Sequence, residues 1–461
     1  MVKRSAVEFF NVRNTRDPQA QAARLAEQFA KQNRALAGVL DVQIEREYDG
    51  NDVSLLIHSA GRVGAIPLYS PTSARPDYGL VIQPRFPWSG IGPMLSEMGW
   101  RITPTPLRLP MLRRSERRVP VWVLALMILV RLKGLLDSIQ RRFEITRESR
   151  VAPRGSVDWT DYATRSLSIG KVLSIPCRFP DLNDDRLLKG AVRYSVEQQL
   201  RALETQREHG SFVHRLIDLG QDVLRRVQDV PVHIPSSTKL GSWLHRPMRT
   251  ESFADGLQAI EWTVDERGLA GLSDLDGIPW TMPMDQFFEA WVETVFASVA
   301  RRIGGHMKTG RKRETTHAID WDPPYLGSQK SLVPDLMLEW ETTTVIIDAK
   351  YKRHWEEFQR DSWSRMEEVL QEQHRNDLLQ VLAYANLAQT PLVIACLVYP
   401  CSSATWQSLR DRERLVHKAQ ITVGSKSLHL WLTAVPMANR VEEITMPLAT
   451  EIQSVLRYSA H

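Results

Sequence analysis

Apolar positions recur at three- and four-residue steps in some stretches and at two-residue steps in others, and the changes of period divide the chain. Ala20, Ala23, Leu25, Phe29 and Leu36, separated by polar residues, predict a helix over 17–37. Short strand-like runs follow at 39–44, 53–58, 63–69 and 80–83, with Asp49-Gly50 and Ser59-Ala-Gly61 as turns. Pro84, Pro87, Pro93, Pro104, Pro106 and Pro110 break the next stretch. An apolar helix is expected over 120–142, and 147–154 reads as a linker. Leu187, Leu188, Val192, Val196, Leu200 and Leu203 give 184–229 an amphipathic helical pattern, and 231–247 reads as loop. Beyond 250, helix and strand alternate. Helices are expected at 284–303, 362–387 and 448–458, and strands at 332–339, 342–351, 392–399, 419–423 and 428–433.

This order predicts an α+β multidomain chain. A β-rich N-terminal domain (1–155) would be followed by a helical connecting region (156–248). A C-terminal α/β domain with a central mixed sheet (249–461) would close the chain.

The 461 residues are 43% hydrophobic and 25% charged, as in globular proteins. The net charge of +5 is small for this length, so the distribution matters more than the sum. Arginines crowd 108–118, where Arg113, Arg114, Arg117 and Arg118 lie, and a second basic group holds Arg311, Lys312 and Arg313. Such clusters suit a polyanion, because each neutralised phosphate releases counterions; a solvated basic loop is the other reading. Cys177, Cys396 and Cys401 form no CxxC pair, which argues against a disulfide framework or a zinc site and fits a reducing cytoplasm. The first ten residues have no signal-peptide pattern. The most apolar run, 119–130, is shorter than the roughly 20 residues a membrane helix needs and reads as a buried helix.

The chemistry concentrates between residues 332 and 352. Val345-Ile346-Ile347 reads as a strand buried on both faces, and it runs directly into Asp348-Ala349-Lys350. Asp348 and Lys350, two apart, share a face of that strand. A hairpin through 341–344 would bring Asp335 beside Asp348. Two carboxylates at close range repel unless a cation lies between them. Mg²⁺, with Mn²⁺ as a substitute, takes one or two carboxylates together with phosphate oxygens, and the Ala349 carbonyl is a further candidate ligand. Such an ion activates water and stabilises charge on phosphoryl oxygens, while Lys350 would orient the water and balance developing charge. Two solvated strand-end acids beside a surface lysine are the structural alternative.

The flanking helices add candidates. Asp377, Gln380 and Tyr384 fall on one helical face, with Leu378, Leu379, Leu382 and Ala383 expected as the packing surface. Glu289, within Phe287-Phe288-Glu289-Ala290-Trp291, is either an additional metal-shell acid or a solvent-facing glutamate. Gly305–Lys312 departs from a phosphate-binding loop, with Arg311 and Lys312 where Lys and Ser/Thr belong, and reads as a basic loop. No HExxH or GxSxG pattern occurs.

With these residues in view, the chain resembles the McrC family of restriction and phage-defence nucleases. Gly79–Phe86 with Met94-Leu95 is similar to the family's Ile-x-Pro-Lys strand end and Met-Leu helix, with Arg85 in place of the lysine. Pro153–Trp159 resembles its Arg-Gly-x-Ile/Val-Asp segment, and 180–189 matches more loosely. Phe288-Glu289, Pro334-Asp335, Asp348-Ala-Lys350-Tyr-Lys352 and Gln380 with Tyr384 follow the family's order. The resemblance implies a PD-(D/E)xK restriction-endonuclease-like domain, with Asp335, Asp348 and Lys350 catalytic and Gln380 an accessory. It also implies a separately encoded AAA+ NTPase partner, using GTP or ATP, that the N-terminal part would contact. Lys352, Tyr384 and the 311–313 group are candidates for contact with double-stranded DNA; the 108–118 arginines are candidates for DNA or partner contact. Two other functions compete with a DNA endonuclease subunit: a non-catalytic adaptor that stimulates the AAA+ protein, and a nuclease for RNA or branched repair DNA. Pairing of nuclease domains for a double-strand cut is compatible with the sequence and not read from it.

Overall fold

The computed structural model describes residues 2–459 except 14, 51, 108, 110–120, 140–141, 184–185, 245–249, 266–277, 324, 326, 353–367 and 424–425. The chain forms two compact units, Met1–Arg118 together with Asp276–His461, and Val119–Leu275.

The first unit begins with β1 (Val2–Ser5), α1 (Ala6–Phe9) and α2 (Pro18–Val39). Asp17 caps α2 by accepting the Ala20 N–H, and Pro18 occupies the first helical position, where a missing N–H costs nothing. The strands β2 (Val42–Asp49) and β3 (Asp52–Ser59) join β1 in a sheet of order β1-β3-β2. Then come β4 (Arg62–Leu68), β5 (Tyr78–Ile82), α3 (Trp88–Glu97) and β6 (Thr105–Pro106). Ala22, Ala26, Phe29 and Ala37 on one face of α2 pack with Val53, Leu55, Ile66 and Leu68 in a shared core. Small residues on that face let the helix lie close to the strands. The four strands expected here are present, though α2 runs through Val39, so β2 begins three residues late.

The second unit is mainly helical. Its α4 (Val121–Ser138) is apolar nearly all round, which suits a central helix. A small sheet, order β7-β9-β8, follows, from β7 (Arg142–Arg150), β8 (Ser156–Val157) and β9 (Ile175–Asn183), with a helical turn α5 (Trp159–Asp161) between β8 and β9. The helices α6 (Arg186–Glu204), α7 (Ser211–Arg225), α8 (Ser237–Leu244) and α9 (Glu251–Val264) complete it. α9 approaches α4 closely: a Cβ on Gly256 would lie 2.3 Å from Leu135 Cβ. Two expectations are corrected here. The linker at 147–154 is in part β7, whose exposed Arg147, Glu148, Ser149 and Arg150 look solvated in sequence yet bond to β9. The loop at 231–247 contains α8, held by buried Leu240 and Trp243 one turn apart.

The chain then returns to the first unit through β10 (Trp280–Pro283), which pairs antiparallel with β4 and with β6 in a sheet of order β5-β4-β10-β6. It leads into α10 (Met284–Ile303). The strands β11 (His306–Thr309), β14 (Leu336–Trp340), β15 (Thr343–Ala349), β16 (Leu392–Cys401), β17 (Val416–Val423) and β18 (Lys426–Pro436) build a six-stranded mixed sheet, order β11-β14-β15-β16-β18-β17. The short β12 (His317–Ala318) and β13 (Ser331–Leu332) pair separately. Helices α11 (Glu368–Ala385), α12 (Ser403–Asp411) and α13 (Val441–Ser459) lie between and after the strands. The central β15, β16 and β18 are parallel, and the outer pairings are antiparallel. Every residue of β15 and β16 is buried, as a strand covered on both faces requires. The expected basic loop at 305–312 is edge strand β11 followed by a turn. Among the described residues, no helix is long and apolar enough to cross a membrane.

Candidate active site

The β14–β15 hairpin sets the centre. Its register pairs Leu336 with Ile347, so Asp335, just before β14, falls opposite Asp348 near the end of β15. A left-handed residue, Glu341 (φ 49°), makes the tight turn between the strands. Asp335 Oδ2 accepts the Ala349 N–H at 3.0 Å, which fixes one carboxylate against the backbone carrying the other. Asp348 is wholly buried, and neither of its oxygens accepts a hydrogen bond of acceptable geometry. The Lys350 ammonium lies 2.8 Å from Asp348 Oδ2 as an ion pair, but its well-directed hydrogen bond goes to Gln380 Oε1 at 3.0 Å.

The electrostatics follow from this crowding. Burial, and then the neighbouring Asp335, push the Asp348 carboxyl up to about 7, against the opposing pull of Lys350. Burial and then Glu289 raise Asp335, although the Ala349 N–H works the other way. Burial also raises Glu289, helped by Asp285 and Asp348 and opposed by Lys350. Glu289 therefore feels the charges of the centre from α10, although it is solvent-accessible at the surface. For Lys350, burial disfavours the ammonium, but Asp348, Asp335 and Asp377 outweigh it and raise the pKa.

α11 presents the expected polar face. Gln380 bridges two groups: its Oε1 accepts from Lys350, and its Nε2 donates to the Tyr384 hydroxyl at 2.9 Å. One turn earlier, Asp377 holds the Lys352 ammonium at 2.6 and 2.8 Å. The packing surface expected on this helix is corrected. Leu379 and Ala383 are exposed and Leu378 and Leu382 only half-buried, while His374, Asp377, Val381, Tyr384 and Ala385 face inward. Of the polar stripe, Asp377 and Tyr384 are buried and Gln380 is exposed, and the lysines after β15 pair with Asp377 and Gln380. Tyr399 and His374 were missed by the sequence reading. The Tyr399 hydroxyl, from β16, donates to Asp377 Oδ2 at 3.3 Å and lies 3.2 Å from His374 Nδ1. No local spacing links a residue on β16 to α11, so only their separate apolar contexts were legible.

The remaining candidates lie apart from the carboxylate pair. Arg311 is ion-paired to Glu293 on α10 at 3.1 Å, and Arg101 reaches the same carboxylate at 2.6 Å. Lys312 and Arg313 are exposed. Lys352 is engaged by Asp377 rather than extended into solvent. Arg113, Arg114, Arg117 and Arg118 lie outside the described residues.

Among the described residues, no group of three or more His, Cys, Asp or Glu side chains gathers as a metal cluster. The two carboxylates nonetheless fit a hard divalent cation. They face each other, burial favours their neutral forms, and among the described residues an Asp348 oxygen meets no donor apart from the Lys350 ammonium of its ion pair. Mg²⁺ needs no more than one or two carboxylates from the protein. The arrangement can hold a cation beside an ammonium that is itself oriented by an amide, which suits hydrolysis of a phosphate ester.

Comparison with known proteins adds family to geometry. A search of curated proteins finds no match. Among solved structures, this chain is similar to a chain of the Thermococcus gammatolerans half-complex of McrB AAA+ hexamers with bound McrC, with 13% identity, 98% of each chain covered and a TM-score of 0.42. It is also similar to a chain of the Thermococcus gammatolerans McrBC complex, at 13% identity and a TM-score of 0.26, covering 65% of this chain and 85% of that one. The family model described as McrBC 5-methylcytosine restriction system component matches residues 110–400, more than half of the sequence and all of the segment that carries the carboxylates. The chain belongs to that McrBC family.

Proposed function

We propose that the chain is the McrC-type nuclease subunit of a McrBC-like restriction or anti-phage system, a Mg²⁺-dependent DNA endonuclease of the PD-(D/E)xK class. The observation that carries this reading is the fully buried Asp348, opposed to Asp335, with Lys350 two residues on and held by Gln380. Burying a carboxylate beside another carboxylate is costly, and a fold retains such a pair where a ligand relieves it.

Asp335 and Asp348 would hold the cation, with the Ala349 carbonyl as a third oxygen and Glu289 at the open side. When bound, Mg²⁺ supplies Lewis acidity toward the phosphoryl oxygens and the attacking water. Lys350 balances the negative charge that builds on the phosphate, and it positions the water by hydrogen bonding. Gln380 keeps the Lys350 ammonium aimed, and Tyr384 keeps Gln380 aimed. The Ala349 N–H prevents Asp335 from rotating away.

A separately encoded AAA+ NTPase would activate cleavage and supply DNA recognition, as the family membership suggests. The test is cleavage of plasmid DNA with Mg²⁺, comparing wild type with Lys350→Ala, with and without the AAA+ partner and its nucleotide. Cutting by wild type that depends on partner, and its loss in Lys350→Ala, are expected. Cutting that survives in Lys350→Ala would sink the site assignment. Absence of cutting with the partner's NTPase still stimulated would make the chain an adaptor.

A further inference from the structure

The turn after β11, Gly310-Arg311-Lys312-Arg313, carries three cations in a row, and the fold treats them differently. Arg311 is held by Glu293 of α10 through two contacts, Nη2 to Oε1 at 3.1 Å and Nε to Oε2 at 3.4 Å. Lys312 and Arg313 are exposed, and among the described residues neither side chain has a hydrogen bond or an ion pair. They do not touch the carboxylates, but the turn that carries them is bonded to the backbone of Asp335. The Gly310 N–H donates to the Asp335 carbonyl at 2.8 Å, and the Thr315 hydroxyl donates to the Pro334 carbonyl at 2.6 Å. A Cβ on Gly310 would lie 2.6 Å from that Pro334 oxygen, so an approach this close requires glycine.

We propose that Lys312 and Arg313 form a phosphate clamp, binding the DNA backbone beside the phosphodiester held at Asp335 and Asp348. The inference rests on the nuclease reading above, and it gives these two cations, not Arg311, to the substrate.

Position is the first support. β11 pairs with β14 and β14 with β15, with Thr309 opposite Leu336 and Leu336 opposite Ile347. The turn therefore leaves the sheet at the same end as Asp335 and Asp348, two strand spacings, about 10 Å, from β15. Phosphates recur about every 3.4 Å of rise along one strand, so a backbone crossing this end meets the turn within about three nucleotides of the reacting phosphate. Rigidity is the second. Besides its bonds to Pro334, Asp335 and Glu293, the turn is closed by Glu314, whose Oε2 accepts the Thr309 N–H at 2.9 Å. Glu314 is thus turned back on the backbone, and the two cations ride on a segment already ordered, which lowers the entropy lost when a ligand binds. The third is strain. Arg313 has φ 61°, in the left-handed region that a residue with a Cβ disfavours and glycine accepts. Strain of this kind persists where function requires it, and an exposed guanidinium is a side chain suited to phosphate. Arg302, also exposed, lies in the last turn of α10 at the other end of β11, where a cation complements the helix terminus instead.

The experiment uses the full chain with Lys312→Ser, Arg313→Gly, the two combined, and Arg302→Ser as the control. Binding of a short fluorescein-labelled duplex is followed across a salt series in EDTA, and plasmid cleavage is measured with Mg²⁺ and the AAA+ partner. Each substitution in the turn is expected to flatten the log-affinity against log-salt slope by about one, and the pair by about two. Cleavage at subsaturating DNA should fall with affinity. Arg313→Gly should melt close to wild type, because relief of the left-handed backbone offsets the greater freedom of glycine in the unfolded chain. Its loss of binding is then not a loss of fold. Arg302→Ser should leave the slope unchanged. An unchanged slope in the double variant, with wild type cutting, overturns the proposal and leaves the nuclease reading intact. An equal flattening by Arg302→Ser would mean a diffuse basic surface and overturns it too. Failure of wild type to cut with its partner removes the nuclease reading, and the proposal with it.

Discussion

Two buried aspartates near the same end of the large sheet differ in how they are answered. Asp377, on α11, receives the Lys352 ammonium on both oxygens and the Tyr399 hydroxyl on one of them. Asp348, near the end of β15, faces Asp335, and its lysine divides itself between Asp348 and Gln380. Lys350 and Lys352 are two residues apart, yet one serves a satisfied pair and the other an unsatisfied one. A buried charge with good partners is neutral or modestly useful to a fold; one left opposite a like charge is a cost that function has to justify. The contrast separates the residues that hold the site together from those available to a ligand.

The largest effect expected from breaking this contrast is on chemistry. Asp348→Ala should reduce partner-dependent DNA cleavage by about 10³-fold or more, since it removes the group that would hold the cation. Binding to the AAA+ partner, followed by co-elution, should be unchanged; cleavage retained in a clean preparation would refute the role of Asp348. Asp377→Ala should act on stability instead. It removes the carboxylate that pairs with Lys352 and should cost about 3 kcal/mol in urea unfolding, the low end for a buried pair because Lys352 is about one-third exposed.

The smallest effect has the opposite sign. With metal chelated, Asp348 titrates near 7 in the folded protein and near the ordinary carboxylate value, about 4, when unfolded. The native state therefore holds more protons between these values. Stability is fully present below about pH 4 and is lost as pH rises through about 7. Asp348→Asn should remove most of that dependence and stabilise the chelated protein at pH 8 by on the order of 2 kcal/mol. An unchanged melting temperature at pH 8 would show that the carboxylate is not strained. Adding Mg²⁺ should stabilise wild type and not the Asn variant.

Much of this was legible because it is local. α10 was expected at 284–303 and spans those residues. The strand pair at 332–351 was expected as a hairpin, and its register set Asp335 against Asp348. The Asp377, Gln380 and Tyr384 stripe followed from helical periodicity; Gln380 joins Lys350 and Tyr384, while Asp377 takes Lys352. The errors came where tertiary context overrode pattern. Leu379 and Ala383 read as packing residues but are exposed, because charged partners after β15 draw the polar face inward. The 147–150 part of β7 read as linker because Arg147, Glu148, Ser149 and Arg150 are all polar, and its pairing with β9 lies some 30 residues away.

The sequence by itself determined the strongly periodic strands and helices, α10 and the β14–β15 pair among them, and it placed an acid and a lysine at the end of an apolar strand, since periods of 2 and 3.6 and residue order are properties of the chain. Only the tertiary structure decided which lysine answers which aspartate, that Tyr399 joins Asp377, and that Arg85 stacks on Tyr351. Those pairings depend on distances between segments up to 266 residues apart, and one-dimensional spacing carries no information about them.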